Sequence, residues 1–168
     1  ALAIADRAYV LENGRITIPH FYDDVEEVPA AEREMIAAIP FDEEAYKQGL
    51  GVEALQGEKG YSTLERNSCR PSFDVCGIWG GYTDEGAKTV IPSKAYAKVS
   101  TRLVPHQQHE KISQLFIDYI KEVAPRSVKV EVTPLHGGEG YVCPITIPAY
   151  RAAEDGFTQA FGKRPLAV

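Results

Sequence analysis

Between Pro105 and Pro125, Ile112, Leu115, Phe116, Tyr119, Ile120 and Val123 recur three and four residues apart, so a helix there carries a single apolar stripe that must lie against another layer. The flanking segments supply that layer. "SKAYAKVSTRLV" (93–104) sets Ala95, Ala97, Val99, Thr101 and Leu103 against Lys94, Tyr96, Lys98, Ser100 and Arg102, the two-residue period of a strand. Its small alanines suit a sheet face closely covered by a helix. "SVKVEVTPL" (127–135) alternates Val128, Val130 and Val132 with Lys129, Glu131 and Thr133 and predicts a further strand. "SFDVCGIW" (72–79) sets Phe73, Val75, Gly77 and Trp79 against Asp74, Cys76 and Ile78.

The other segments are less periodic. Residues 2–12 read as a helix ending at Asn13-Gly14, because glycine accepts the left-handed conformation of a helix stop. Residues 30–56 read as two short surface helices split at Pro40, and 57–71 as a loop. The order helix, strand, strand, helix, strand predicts an α+β fold. It fits a ferredoxin-like two-layer sandwich, an antiparallel sheet with helices on one face, whose first strand is missing. A last helix over 148–161, with Tyr150, Ala153, Phe157, Ala160 and Phe161 on one side and Gly162 as its stop, has no place in that sandwich. The expected division is therefore 1–141 for one domain and 142–168 for the start of another. Ala1 is neither an initiator methionine nor an N-capping residue, and the chain reads as cut from something larger.

A formal charge of −6 over 168 residues argues against a nucleic-acid partner, and no apolar run predicts a membrane span. Cys69, Cys76 and Cys143 cannot all pair and show no Cys-x-x-Cys spacing, which points to a reducing, cytoplasmic compartment. His20, His106, His109 and His136 lack zinc spacing, and "DDVEE" (23–27) lacks that of a calcium loop. A cysteine paired with His136 is possible on composition, without a local motif. The glycines of "GGYTDEGAK" do not end in the Lys-Ser/Thr of a phosphate loop. Arg102 and His136 differ from these because each ends a predicted strand, where a rigid sheet can present a side chain to a ligand. A guanidinium grips a carboxylate through two parallel hydrogen bonds, and an imidazole can donate to an oxyanion. From spacing alone, a surface ion pair and a loop histidine remain open for the two.

"KTVIPSKAYAKVSTRLVPHQQHEKI" resembles the lid, or dimerisation, domain of the zinc metallopeptidases that include aminoacylase and carnosinase-type dipeptidases, closest to the dipeptidase branch. "NGRITIPHFYDDV", "RPSFDVCGIWGGYTDEGAKTVIP", "HGG" and "AFGKRPL" extend the resemblance over nearly the whole chain. It implies a parent enzyme that hydrolyses short peptides with two zinc ions held by another domain. No metal ligand or general base is expected in these residues, and the fragment alone is expected to be inactive. It further implies that Arg102 of "RLVP" binds the substrate's terminal carboxylate, that Thr89 of "KTVIP" and His136 of "HGG" help hold substrate, and that some of these contacts reach a partner subunit's active site. A homodimer joined by edge-to-edge strand pairing is the implied assembly. His20 stands where that family has a smaller residue. Two rival readings are a free-standing ferredoxin-like module that binds a small molecule or only oligomerises, and a self-contained Cys-His hydrolase.

Overall fold

The computed structural model describes residues 11–12 and 14–166. Helix α1 spans Ala30–Ala37, α2 Glu43–Leu50, α3 Thr63–Ser68, α4 His109–Val123 and α5 Pro148–Phe161. Strands β1 (Leu11–Glu12) and β2 (Arg15–Ile16) form one antiparallel pair, β3 (Ser72–Gly80) and β4 (Ala95–Arg102) another. The fold is α+β.

The first correction falls at the N-terminal end. Leu11 and Glu12, expected at the end of a helix, are a strand paired with Ile16 and Arg15. Glycine serves a hairpin turn as readily as a helix stop, and here strand pairing wins. Gly14, at φ 80°, also lets the chain pass close to another segment, since a Cβ there would lie 2.1 Å from the Gly57 carbonyl carbon. The rest of the expected helix, 2–10, lies outside the described residues.

Pro40 does separate two helices. Asp42 caps α2 by accepting from the Ala45 N–H at 3.0 Å, and Gly51 ends it at φ 69°. The expected loop 57–71 contains α3, which opens with a capping box: Ser62 Oγ accepts from the Glu65 N–H, and Glu65 Oε2 accepts from the Ser62 N–H. The Ser-Thr-Leu-Glu spacing that makes this box is visible in the sequence.

The core forms where the foot of the β3–β4 hairpin meets α4. Ile16, Ile18, Phe21, Phe73 and Ile112 are buried together, and Leu103, Leu115, Phe116 and Tyr119 pack around them. The apolar stripe of α4 thus meets the sheet as expected, with the Phe73 and Phe116 rings 5.8 Å apart. Gln107, fully buried, ties this corner together: its Oε1 accepts from the Val104 N–H at 3.0 Å and its Nε2 donates to the Phe21 carbonyl at 2.8 Å.

Three strand expectations change. Val75 pairs with Val99 and Gly77 with Lys98, which leaves Cys76 as the extra residue of a β-bulge. Register partners share a face, so Ile78, opposite Ala97, returns to the side of Phe73 and Val75, while Gly77 and Trp79 move to the other. Trp79 there stacks on Tyr96 at 5.2 Å. Ala95 and Ala97 are exposed rather than covered by a helix, because α4 packs only over the hairpin foot. The segment 127–135 keeps its alternation, with Val128, Val130 and Val132 half-buried and Lys129, Glu131 and Thr133 exposed, yet it joins no ladder among the described residues. Alternation dictates which side chains face inward; a strand also needs a neighbour for its backbone. Helix α5 has its expected bounds, with Pro148 in its first turn and Gly162 at φ 67° as its stop.

Candidate functional site

Arg102 is the last residue of β4, opposite Ser72 in register, and its side chain is exposed. It makes no side-chain hydrogen bond or ion pair among the described residues, so its guanidinium donors are open to a ligand. Alternation puts Leu103 into the core and Arg102 on the opposite face.

The "HGG" segment is brought to the same corner. A Cβ on Gly137 would lie 2.3 Å from His109 Cδ2, and one on Gly140 3.3 Å from Pro105 N and 3.5 Å from the Leu103 oxygen. The loop therefore lies flat on the first turn of α4 and on the residues that follow Arg102, and at Gly137 the approach is one only glycine allows. A polar contact adds to it, His109 Nδ1 lying 2.7 Å from Glu139 Oε1. That bond holds the Glu139 carboxyl below the usual carboxylate range. His136, next to Gly137, is exposed.

Thr89 is placed elsewhere. It lies in the connection from Gly80 to Ala95, which narrows where Gly81 meets Pro92, and it is exposed. Ala95 and Arg102 are the two ends of β4, roughly 23 Å apart at about 3.3 Å per residue. The structure thus joins Arg102 and the His136 loop at the hairpin foot and puts Thr89 in the connection at its other end.

The donors present do not fit a two-zinc centre. His109, Glu110 and Glu139 are the three residues of this kind that converge among the described residues, with ligand atoms within 4.8 Å of one another. Three donors are too few for two catalytic ions, each of which takes about three protein ligands. No cysteine sulfur hydrogen-bonds a histidine among the described residues: Cys76 Sγ donates to Ser100 Oγ at 3.3 Å, and Cys69 Sγ lies 3.3 Å from Ser68 Oγ. Sequence reasoning passed over Gln107, the His109–Glu139 clasp and the ion pair of Arg70 with Glu58. Each joins residues distant in sequence and leaves no local pattern.

Residues 24–128, more than half of the chain, match the model of the peptidase dimerisation domain. The chain belongs to that family. Thr89 and Arg102 fall within the residues matched by this dimerisation domain and His136 outside them. The chain is 30% identical to human Beta-Ala-His dipeptidase over 158 residues, which are 91% of this chain and 31% of that protein. It is 32% identical to the Cys-Gly metallodipeptidase dug1 of Schizosaccharomyces pombe over 159 residues, 93% of this chain and 33% of that protein. Among solved structures, the M20 family metallo-carboxypeptidase Sso-CP2 from Sulfolobus solfataricus superposes with a TM-score of 0.83 at 28% identity, covering 99% of this chain and 38% of that one. Human carnosine dipeptidase 1 superposes with a TM-score of 0.78 at 27% identity, covering 99% of this chain and 36% of that one. The chain spans about a third of the length of the curated relatives it matches.

Proposed function

We propose that this chain is the substrate-clamping lid and the dimerisation domain of a zinc-dependent dipeptidase that hydrolyses short peptides. The observation that carries the proposal is the exposed Arg102 guanidinium, without a side-chain partner among the described residues, at the end of a strand anchored by the core. A planar guanidinium presents paired donors to a carboxylate, and fixing the peptide's terminal carboxylate orients the scissile bond. The His136 loop, clasped to the same corner, supplies a second contact. Thr89, at the other end of the hairpin, serves a different substrate, that of the partner subunit. The two zinc ions and the general base belong to the parent's catalytic domain, whose C-terminal part starts with residues 142–168, and the chain alone is inactive.

The ferredoxin-like detail belongs to the same proposal. The alternation of 127–135 fits a strand that pairs in the intact parent. Two-stranded β3–β4 leaves both of its edges without a neighbour among the described residues, which favours dimerisation by edge-to-edge pairing. No described helix is long and apolar enough to cross a membrane; the compartment we propose is the cytoplasm.

Replacing Arg102 by alanine in the full-length enzyme tests the reading. Loss of one charge-assisted carboxylate contact, about 1.5–3 kcal/mol, raises KM for dipeptides by roughly 10- to 150-fold with the melting temperature unchanged. An unaltered KM would refute the role of Arg102.

A further inference from the structure

A cleft of about 420 Å³ opens between the β1–β2 hairpin and the segment that leads into β3, and none of Arg102, Thr89 and His136 lines it. Its wall is built from guanidinium groups layered with tyrosines. The Arg70 guanidinium lies 4.3 Å from the Tyr61 ring centroid and 5.4 Å from that of Tyr22, and it donates to both oxygens of Glu58, at 2.8 and 2.9 Å. Arg33 lies 5.1 Å from the Tyr61 centroid and is held by Glu65 Oε1 at 2.6 Å and the Gly60 carbonyl at 2.8 Å. Both are locked before any ligand arrives, so little side-chain entropy remains to be lost on binding.

The charge in this cleft is not balanced. Arg15, Arg33, Lys59 and Arg70 face it with Glu27 and Glu58, and with Glu65 behind Arg33 there is one more cation than carboxylates, on a chain whose formal charge is −6. Glu58 is engaged by Arg70 and Glu65 by Arg33, while Glu27 accepts from the Tyr61 hydroxyl at 3.1 Å. Arg15 and Lys59 have no carboxylate of their own among the described residues, against one carboxylate, Glu27, that no described cation engages. Arg15 stacks 4.5 Å above the Tyr22 centroid and is 4.0 Å from a Glu58 oxygen already bonded to Arg70, with 62% of its side chain exposed. Lys59 is exposed and makes no side-chain hydrogen bond or ion pair among the described residues. The ring faces are occupied by guanidinium planes, so the cleft selects for charge rather than for an aromatic group.

We propose that this cleft is a second binding site, separate from the Arg102 corner, for a small oxyanion such as a phosphate or a dicarboxylate. Arg15 and Lys59 close on the anion and Arg70 and Arg33 form its rigid floor. Recognition by charge-assisted hydrogen bonds from several cations requires an anionic ligand and weakens with salt.

The test is calorimetric titration of the full-length protein, carrying Arg102→Ala to remove the carboxylate contact proposed above, with inorganic phosphate and separately with succinate. Saturable binding is expected for at least one of them, weakened at least about tenfold by Arg15→Gln with Lys59→Gln and weakened also by salt. Lys59→Gln alone, at an exposed position, keeps the test valid if the double variant is unstable, and should weaken binding in the same direction. Binding of both anions identifies a general dianion site, and binding of phosphate alone identifies a phosphate site. Absence of saturation by either up to about 10 mM, or binding that the Lys59 and Arg15 changes leave untouched, overturns the proposal. Neither result bears on Arg102, which is already replaced in every sample.

Discussion

Arg70 and Arg102 show how one residue type takes two roles. Arg70 has 5% of its side chain exposed and is bonded twice to Glu58, whose side chain is 8% exposed; removing either partner would strand a buried charge, at a cost of about 3–5 kcal/mol. Arg102 is exposed and unpaired among the described residues, which suits a ligand contact and leaves the fold indifferent to its loss. Glu65 links stability to pH. Its bond to Arg33, with two contacts from Ser62, outweighs the cost of burial and holds its carboxyl below the ordinary value. A folded-state value below the unfolded one adds stability that is present above the ordinary carboxylate range and is lost as pH falls through the depressed value. Chemical denaturation between pH 6 and pH 3 should therefore show a steeper loss for the native sequence than for Glu65→Gln, which starts less stable but titrates less. Equal slopes would show that Glu65 contributes nothing to the pH dependence. His20 and His106 adopt φ 64° and 72°, a conformation that favours glycine, which accounts for a smaller residue being expected at His20.

At the scale of elements, the decisive contact is between α4 and the loop that carries His136. Helix periodicity placed α4, and alternation placed β4, from residues close in sequence. The clasp between them could not be read there, since His109 and Glu139 are far apart along the chain and glycine spacing says nothing about which ring the backbone will cover. If His109 holds the loop, His109→Ala should speed amide hydrogen exchange at residues 137–140 by about tenfold or more while α4 keeps its protection. Unchanged exchange there would mean that glycine packing alone holds the loop. The bulge at Cys76 belongs to this scale too. The pattern Phe73, Val75, Gly77, Trp79 is a regular alternation to the eye, and one extra residue reverses the faces of its second half.

For the whole molecule, the distribution of apolar surface is the main result. The foot of the hairpin is buried, while Val75 and Ile78 on its upper part are 58% and 79% exposed, as are Phe157 and Phe161 of α5 at 54% and 74%. Exposed apolar side chains favour contact with other protein, in keeping with the dimerisation domain matched over residues 24–128. Light scattering of the chain should give twice its 18.5 kDa mass. A monomer at every concentration would count against assembly through this domain by itself.

The sequence by itself determined the helices of residues 30–50, 109–123 and 148–161, the strands at 72–80 and 95–102, and the position of Arg102 at a strand end, because periodicity, proline and glycine act between near neighbours. Only the tertiary structure decided the β1–β2 pairing, the bulge, the seat of the His136 loop and the cation-rich cleft. Each of these depends on backbone approach or charge pairing between distant segments, and packing in space, rather than local pattern, selects among the partners available.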